Sequence, residues 1–315
     1  MLAKTIGDTL RRAGLNPRAL ASWAGTDRLA TIARSRGVLA ARPITPASAV
    51  LALFVAGARV PRRSLRALDE VWPELAGRGW LDEAHDEVSA RVAIAPIGPS
   101  LVLCEDDGWP DDSSYHLVGA LPERRVGRWL DLGCGSGFAP LARPQLAGEI
   151  VGIELDDRAV RLAQAGCAVS GLDHVRVIHG DVAAAVATGS YDLITCNAPI
   201  PGDPSTSLWR HADPELFARL WATAAACARD GATVIVHGVA DELVRELPGD
   251  RRVVIYTPED PAAGVRGFGV LWWRPAAPAN VVIVRRGLTD DRPHVDAADA
   301  DPDSDVLSSS LLGHA

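Results

Sequence analysis

The chain has 315 residues, 48% apolar and 23% charged, with 32 basic groups against 40 acidic ones and a formal net charge of −8. That balance excludes a disordered, collagen-like or disulfide-scaffold protein, and the length allows about two domains, each able to bury a core. The charge is uneven, because residues 1–70 carry twelve basic and four acidic groups, so a basic N-terminal part precedes an acidic body.

The first ~90 residues are punctuated as short helices. A pattern around Ile6–Ala13 stops at Gly14. Asn16-Pro17 pairs a capping side chain with a proline at the first helical position, opening a helix that Gly25 closes. Asp27–Arg36 reads as another, closed by Gly37, and Thr45-Pro46 introduces one over Ala47–Ala56, closed by Gly57. From Ser64, the residues Leu65, Leu68, Val71, Trp72 and Leu75 follow a helical spacing that Pro73 kinks or restarts. Val88, Ala90, Val92 and Ile94 alternate as a strand does. Helices followed by a strand suggest a winged-helix-like domain over residues 1–90. Its Arg59, Arg62, Arg63 and Arg66 read either as a phosphate-contacting patch or as the solvated arginines of a substrate-docking domain. The run Ala47–Gly57 is too short to span a bilayer, and charged residues interrupt the start where a signal peptide would lie. Cys104, Cys134, Cys167, Cys196 and Cys227 show no C-x-x-C spacing and read as buried thiols, with no metal site. A cytoplasmic location is expected, with no membrane partner.

Residues 91–127 form a bridge, with a hairpin expected over Val92–Ile97 and Leu101–Cys104, then an acidic loop and Tyr115-His116. Alternation becomes regular from Arg128. Strands are expected at 128–132, 149–154, 174–179, 191–196, 232–237, 251–257 and 279–285, and helices at 138–146, 157–169, 213–228 and 240–247. Such a βα alternation is α/β: a Rossmann-like, mostly parallel sheet covered on both faces, over residues 128–287. Residues 288–315, rich in Asp, Ala, Ser and Pro, read as a disordered acidic tail.

The chemistry concentrates at strand ends. Trp129-Leu-Asp-Leu-Gly-Cys-Gly-Ser-Gly-Phe138 ends an apolar run in glycines at 133, 135 and 137, where backbone N–H groups can approach a ligand that a Cβ would push away. Glu154 stands 21 residues after Gly133, where a second strand presents an acid to a ribose diol. Phe138 occupies the position at which a dinucleotide fingerprint needs glycine. The pattern from Asp131 to Gly137 instead resembles motif I of class I S-adenosylmethionine-dependent methyltransferases. Val175–Val182 resembles the third strand of that family, and Tyr191–Pro199 its fourth strand and catalytic loop. The resemblance implies a seven-stranded sheet ending in an antiparallel pair, and S-adenosylmethionine as cofactor. It assigns Asp131 to the cofactor's ammonium, Gly133, Gly135 and Gly137 to its amino acid and ribose, and Glu154 to the ribose hydroxyls. Asp181 and the Val182 N–H would meet the adenine.

Asn197-Ala-Pro199-Ile-Pro201 resembles the Asn-Pro-Pro-Tyr loop of enzymes that methylate amide or exocyclic nitrogens, in which Asn and a proline carbonyl accept from the target NH₂. Asn197 and Pro199 match, whereas Ala198 replaces the first proline and Ile200 stands where the aromatic belongs. The whole arrangement resembles a group of actinobacterial methyltransferases with a winged-helix-like N-terminal domain and a glutamine/adenine N-methyltransferase-type catalytic domain. N-methylation of a protein side chain or small molecule is the first expectation, with nucleic acid as a further possible acceptor. Tyr115, His116, Trp209 and His211 are candidate substrate-facing residues. An O-methyltransferase using His211 or His237 as base, or a non-catalytic cofactor-binding regulator, are the alternatives.

Overall fold

The computed structural model describes residues 2–182, 190–200, 215–256 and 267–285. Trp209, His211 and the acidic tail lie outside the described residues. The chain divides into two compact units, Met1–Asp112 with Gly135–Pro144 and Asp156–His179, and Ser113–Cys134 with Gln145–Leu155 and Gly180–Ala315.

The first unit holds α1 (Leu2–Arg12), α2 (Pro17–Ala24), α3 (Ile32–Ala40), α4 (Ala49–Phe54) and α5 (Trp72–Gly77), with β1 (Val60–Pro61), β2 (Leu81–Ala84) and β3 (Glu87–Ala90). The cap at Asn16 forms: its side chain accepts from the Ala19 N–H at 2.9 Å, Pro17 occupies the first turn and Gly25 ends the helix at φ 72°. The helix expected over Asp27–Arg36 is displaced. A 3₁₀ turn at Leu29–Thr31 leads into α3, which runs through Gly37 to Ala40. Arg62–Val71 is 3₁₀-helical with a kink at Leu65 (φ −105°, ψ 21°), and its buried Leu65, Leu68 and Val71 recur every three residues, the period of a 3₁₀ helix. The strand expected across 88–94 is two strands. β3 pairs with β1 and β2 in an antiparallel sheet of order β1-β3-β2, while β4 (Ala93–Ile97) pairs with β5 (Ser100–Cys104) as the expected hairpin. The same unit contains α7 (Phe138–Ala142), α8 (Asp157–Ser170) and β8 (Val175–His179). Asp156 caps α8 by accepting from Ala159 N–H at 2.7 Å. Backbones come close on both sides of α8: a Cβ on Gly7 of α1 would lie 1.9 Å from the Val169 carbonyl oxygen, and one on Gly166 3.1 Å from that of Leu101.

The second unit contains α6 (Asp112–Gly119) from Ser113 onward, β6 (Val126–Leu132), β7 (Ala147–Glu154), β9 (Tyr191–Asn197), α9 (Leu216–Cys227) and β10 (Ala228–Val239). It continues with α10 (Ala240–Leu243), β11 (Asp250–Ile255), β12 (Phe268–Arg274) and β13 (Asn280–Arg285). Among the described residues the main sheet has eight strands, in the order β13-β11-β12-β10-β9-β6-β7-β8, where seven were expected. The unforeseen strand is β12, buried on both faces, so its sequence is a continuous apolar run without the alternation that marks a strand. β12 runs antiparallel to both β10 and β11, while β13 lies parallel to β11, so a single reversed strand replaces the expected final antiparallel pair. Trp129, Leu130, Leu132, Ile150, Ile153, Leu193, Ile194, Val234, Ile235 and Val236 form the buried centre of this sheet. All five cysteines are buried and free. Among the described residues no helix is long and apolar enough to cross a membrane, and no side-chain cluster could hold a metal ion.

Candidate functional site

In the second unit, β6, β7, β9 and β10 run parallel and end on one edge of the sheet. The chain leaves β6 for β7 on one side and returns as β9 on the other, which makes the carboxyl end of β6 the switch point where α/β sheets take ligands. Asp131, Gly133, Glu154 and Asn197 all stand at those ends. Gly133 has φ 62°, and the next residue is pinned by a 3.0 Å bond from Cys134 N–H to the Ile153 carbonyl. A Cβ on Gly133 would meet no atom within 4 Å. Asp181 and Val182 are half-buried, and the preceding Gly180 donates its N–H to the Glu154 carbonyl at 2.9 Å, which ties the end of β7 to the residue before Asp181.

In the first unit, Gly135 and Gly137 have φ 53° and 74°, values that L side chains rarely adopt. Their surroundings differ. A Cβ on Gly135 points into open space, whereas one on Gly137 would touch Leu141 and Ala163 at 3.4 and 3.5 Å. Gly135 leaves open space, and Gly137 supplies the left-handed backbone from which α7 starts.

Asp131 is only 3% exposed. It does not cap a helix. Its carboxylate accepts from the Thr195 hydroxyl at 2.5 Å, and that hydroxyl accepts from the Trp129 indole N–H at 2.7 Å. Loss of hydration pushes the carboxyl up to about 7, opposed by the Thr195 bond and reinforced by the negative charge of Glu154. A buried carboxyl in this state is relieved by an adjacent cation.

Asn197 ends β9 within a set of polar side chains. Its Nδ2 donates to Ser113 Oγ in α6 at 2.8 Å, and its Oδ1 accepts from His237 Nδ1 on β10 at 2.9 Å. His237 Nε2 in turn meets the Tyr256 hydroxyl directly after β11. His116 packs its ring 4.2 Å from that of Tyr256 and 6.1 Å from that of His237. His237 is 2% exposed, and burial, helped by His116, lowers its pKa to about 3. Tyr115 is half-buried, and burial raises its phenol. Pro199 is half-buried and Ile200 exposed in the strand-free segment after β9. Ala198 donates its N–H to the His237 carbonyl at 2.8 Å, a bond that the proline of an Asn-Pro-Pro-Tyr loop cannot make.

Sequence reasoning missed Ser113, Thr195 and Tyr256. A hydroxyl inside an apolar strand was the available signal for Thr195, whereas Ser113 and Tyr256 join Asn197 only through the fold.

Residues 104–237 match the family model described as Methyltransferase small domain. This segment is similar to methyltransferase domains. The chain is 26% identical over 143 residues to the ribosomal protein L11 methyltransferase of Thermus thermophilus, covering 40% of this chain and 56% of that protein. It is 33% identical over 123 residues to the ubiquinone biosynthesis O-methyltransferase of Bordetella avium, covering 39% of this chain and 44% of that one. The chain thus spans about half the length of these curated relatives. A solved T. thermophilus 16S rRNA methyltransferase, in complex with AdoMet and guanosine, aligns with a TM-score of 0.41 at 18% identity, over 60% of this chain and 46% of that chain. S-adenosylmethionine, the cofactor of such domains, is a cation with a ribose diol. Within the second unit, the open glycine Gly133 and the buried acid Asp131 suit it.

Proposed function

We propose that the protein transfers a methyl group from S-adenosylmethionine to an amide or amine nitrogen of a protein side chain or small molecule. Asp131 faces the cofactor's ammonium, Gly133, Gly135 and Gly137 give backbone access, Glu154 accepts from both ribose hydroxyls, and Asp181 and the Val182 N–H meet the adenine. When bound, the cofactor supplies an electrophilic methyl on a sulfonium sulfur.

Asn197 carries the nitrogen reading. Its Oδ1 has two lone pairs, one engaged by His237, which leaves one to accept an N–H of the acceptor. That bond, with the Pro199 carbonyl as second acceptor, would turn the nitrogen lone pair toward the methyl. The N–C bond would form as the sulfur–methyl bond breaks, leaving its electron pair on a neutral thioether sulfur, and the nitrogen would then lose its proton to solvent. Positioning and exclusion of water then supply the acceleration without a strong base. An O-methylating site would ask His237 to take a proton. With its pKa lowered to about 3, it is a poor base at neutral pH.

Residues 1–90 are read as a winged-helix-like substrate-docking domain, 91–127 as its bridge to the catalytic domain over 128–287, and 288–315 as a tail. The small sheet β1-β3-β2, whose β2–β3 hairpin follows the helices, supports a wing. Docking is favoured over nucleic-acid binding because the β2–β3 hairpin carries Asp82, Glu83, Asp86 and Glu87. Arg62 is already engaged, pairing with Asp69 at 2.7 Å and stacking 3.7 Å over Trp72.

The test is the chemistry of the product. Host extract incubated with the protein and methyl-tritiated S-adenosylmethionine should yield label stable to mild alkali, in the protein or small-molecule fraction. Alkali-labile label, the mark of a carboxyl methyl ester, or label in an alkali-stable ether would contradict nitrogen transfer.

A further inference from the structure

The run of hydrogen bonds through Asn197 has a direction. Asn197 Oδ1 can only accept, so its 2.9 Å contact requires a hydrogen on His237 Nδ1. A neutral imidazole carries one N–H, which makes Nε2 the acceptor and the Tyr256 hydroxyl the donor. At the far end Asn197 Nδ2 donates to Ser113 Oγ. Tyr256, His237, Asn197 and Ser113, drawn from four segments of the second unit, therefore donate in sequence from one to the next. The His237 ring neighbours those of His116 and Phe268, with centroids 6.1 and 6.2 Å away, and its carbonyl holds Ala198 N–H, so ring and loop are fixed together.

Building on the nitrogen-directing role of Asn197, we propose that His237 and Tyr256 are positioning residues that select an N–H-bearing acceptor. Tyr256 determines which imidazole nitrogen carries hydrogen, and His237 holds the Asn197 amide with an oxygen lone pair turned to the acceptor. If the Tyr256 hydroxyl is removed, the Nε2–H tautomer of His237 becomes available. Its bare Nδ1 then faces Asn197 Oδ1, lone pair against lone pair, and the amide turns over to donate instead. The turned amide presents N–H where the acceptor's N–H must bind, and transfer slows while the cofactor, held by other groups, still binds.

Two readouts test this on the full-length protein. Long-range ¹H–¹⁵N correlation of ¹⁵N-histidine-labelled protein should show His237 protonated at Nδ1, with Tyr256→Phe moving protonation toward Nε2. Methyl transfer into host extract should fall about tenfold or more in Tyr256→Phe and His237→Phe, with cofactor affinity by calorimetry within about twofold of wild type. His237→Asn, which keeps a donor near the Nδ1 position, should recover most of the loss. An Nε2-protonated His237 in the wild-type protein overturns the proposal. So do wild-type turnover in both phenylalanine variants, or a loss of cofactor affinity that matches the loss of turnover. If Asn197→Ala slows transfer while His237→Phe and Tyr256→Phe do not, the nitrogen reading stands and this inference alone fails. A wild-type protein that transfers nothing, or only to oxygen, removes both.

Discussion

Asp131 couples burial to a charge that a cationic ligand can use. Its carboxyl, raised to about 7 by loss of hydration, is in large part protonated below neutrality, and a cation beside it favours the ionised form. Affinity for S-adenosylmethionine, measured calorimetrically, is therefore expected to rise between pH 6 and pH 8, and in Asp131→Asn to be weaker with a flatter pH profile. The sign for stability is opposite. A carboxyl whose folded pKa exceeds its unfolded value contributes fully below about pH 4, and that contribution is lost as the pH rises through about 7. Without cofactor, the melting temperature of the wild-type protein should fall between pH 5 and pH 8 relative to that of Asp131→Asn. An identical profile for the two proteins would mean that Asp131 is already ionised.

Contacts between elements depend on small residues and on one backbone bond. Gly7 allows α1 to reach the Val169 carbonyl of α8, so Gly7→Ala should destabilise the protein by about 1–3 kcal/mol in urea unfolding, as overpacking does. Ala198→Pro removes the N–H that meets the His237 carbonyl. It should cost about 1 kcal/mol and slow transfer without weakening cofactor binding. At this scale the sequence was legible where the signal is local. The Asn16-Pro17 cap and the strand-end positions of Asp131, Glu154 and Asn197 need only their neighbours in the chain. Burial hid other features: β12 lacks alternation because both its faces are covered, and the three-residue spacing of Leu65, Leu68 and Val71 suits a 3₁₀ helix as well as an α-helix. Tyr256 and Ser113 meet Asn197 through elements distant in sequence, which no local pattern announces.

Across the whole molecule, the methyltransferase match occupies residues 104–237, and the N-terminal helices and small sheet lie outside it. Within the matched segment a strand-end acid, an open glycine and a fixed amide stand at the ends of parallel strands, and the proposed function assigns holding the cofactor to the first two and directing the acceptor to the third. The central claim is that separation. It is tested most directly by methyl transfer from tritiated S-adenosylmethionine into host extract, measured beside calorimetric cofactor binding, for the wild-type protein and Asn197→Ala. The account predicts that Asn197→Ala binds the cofactor within about threefold of wild type yet transfers at least about a hundredfold more slowly. Equal transfer by the two proteins, or a wild-type protein that does not bind the cofactor, would contradict it.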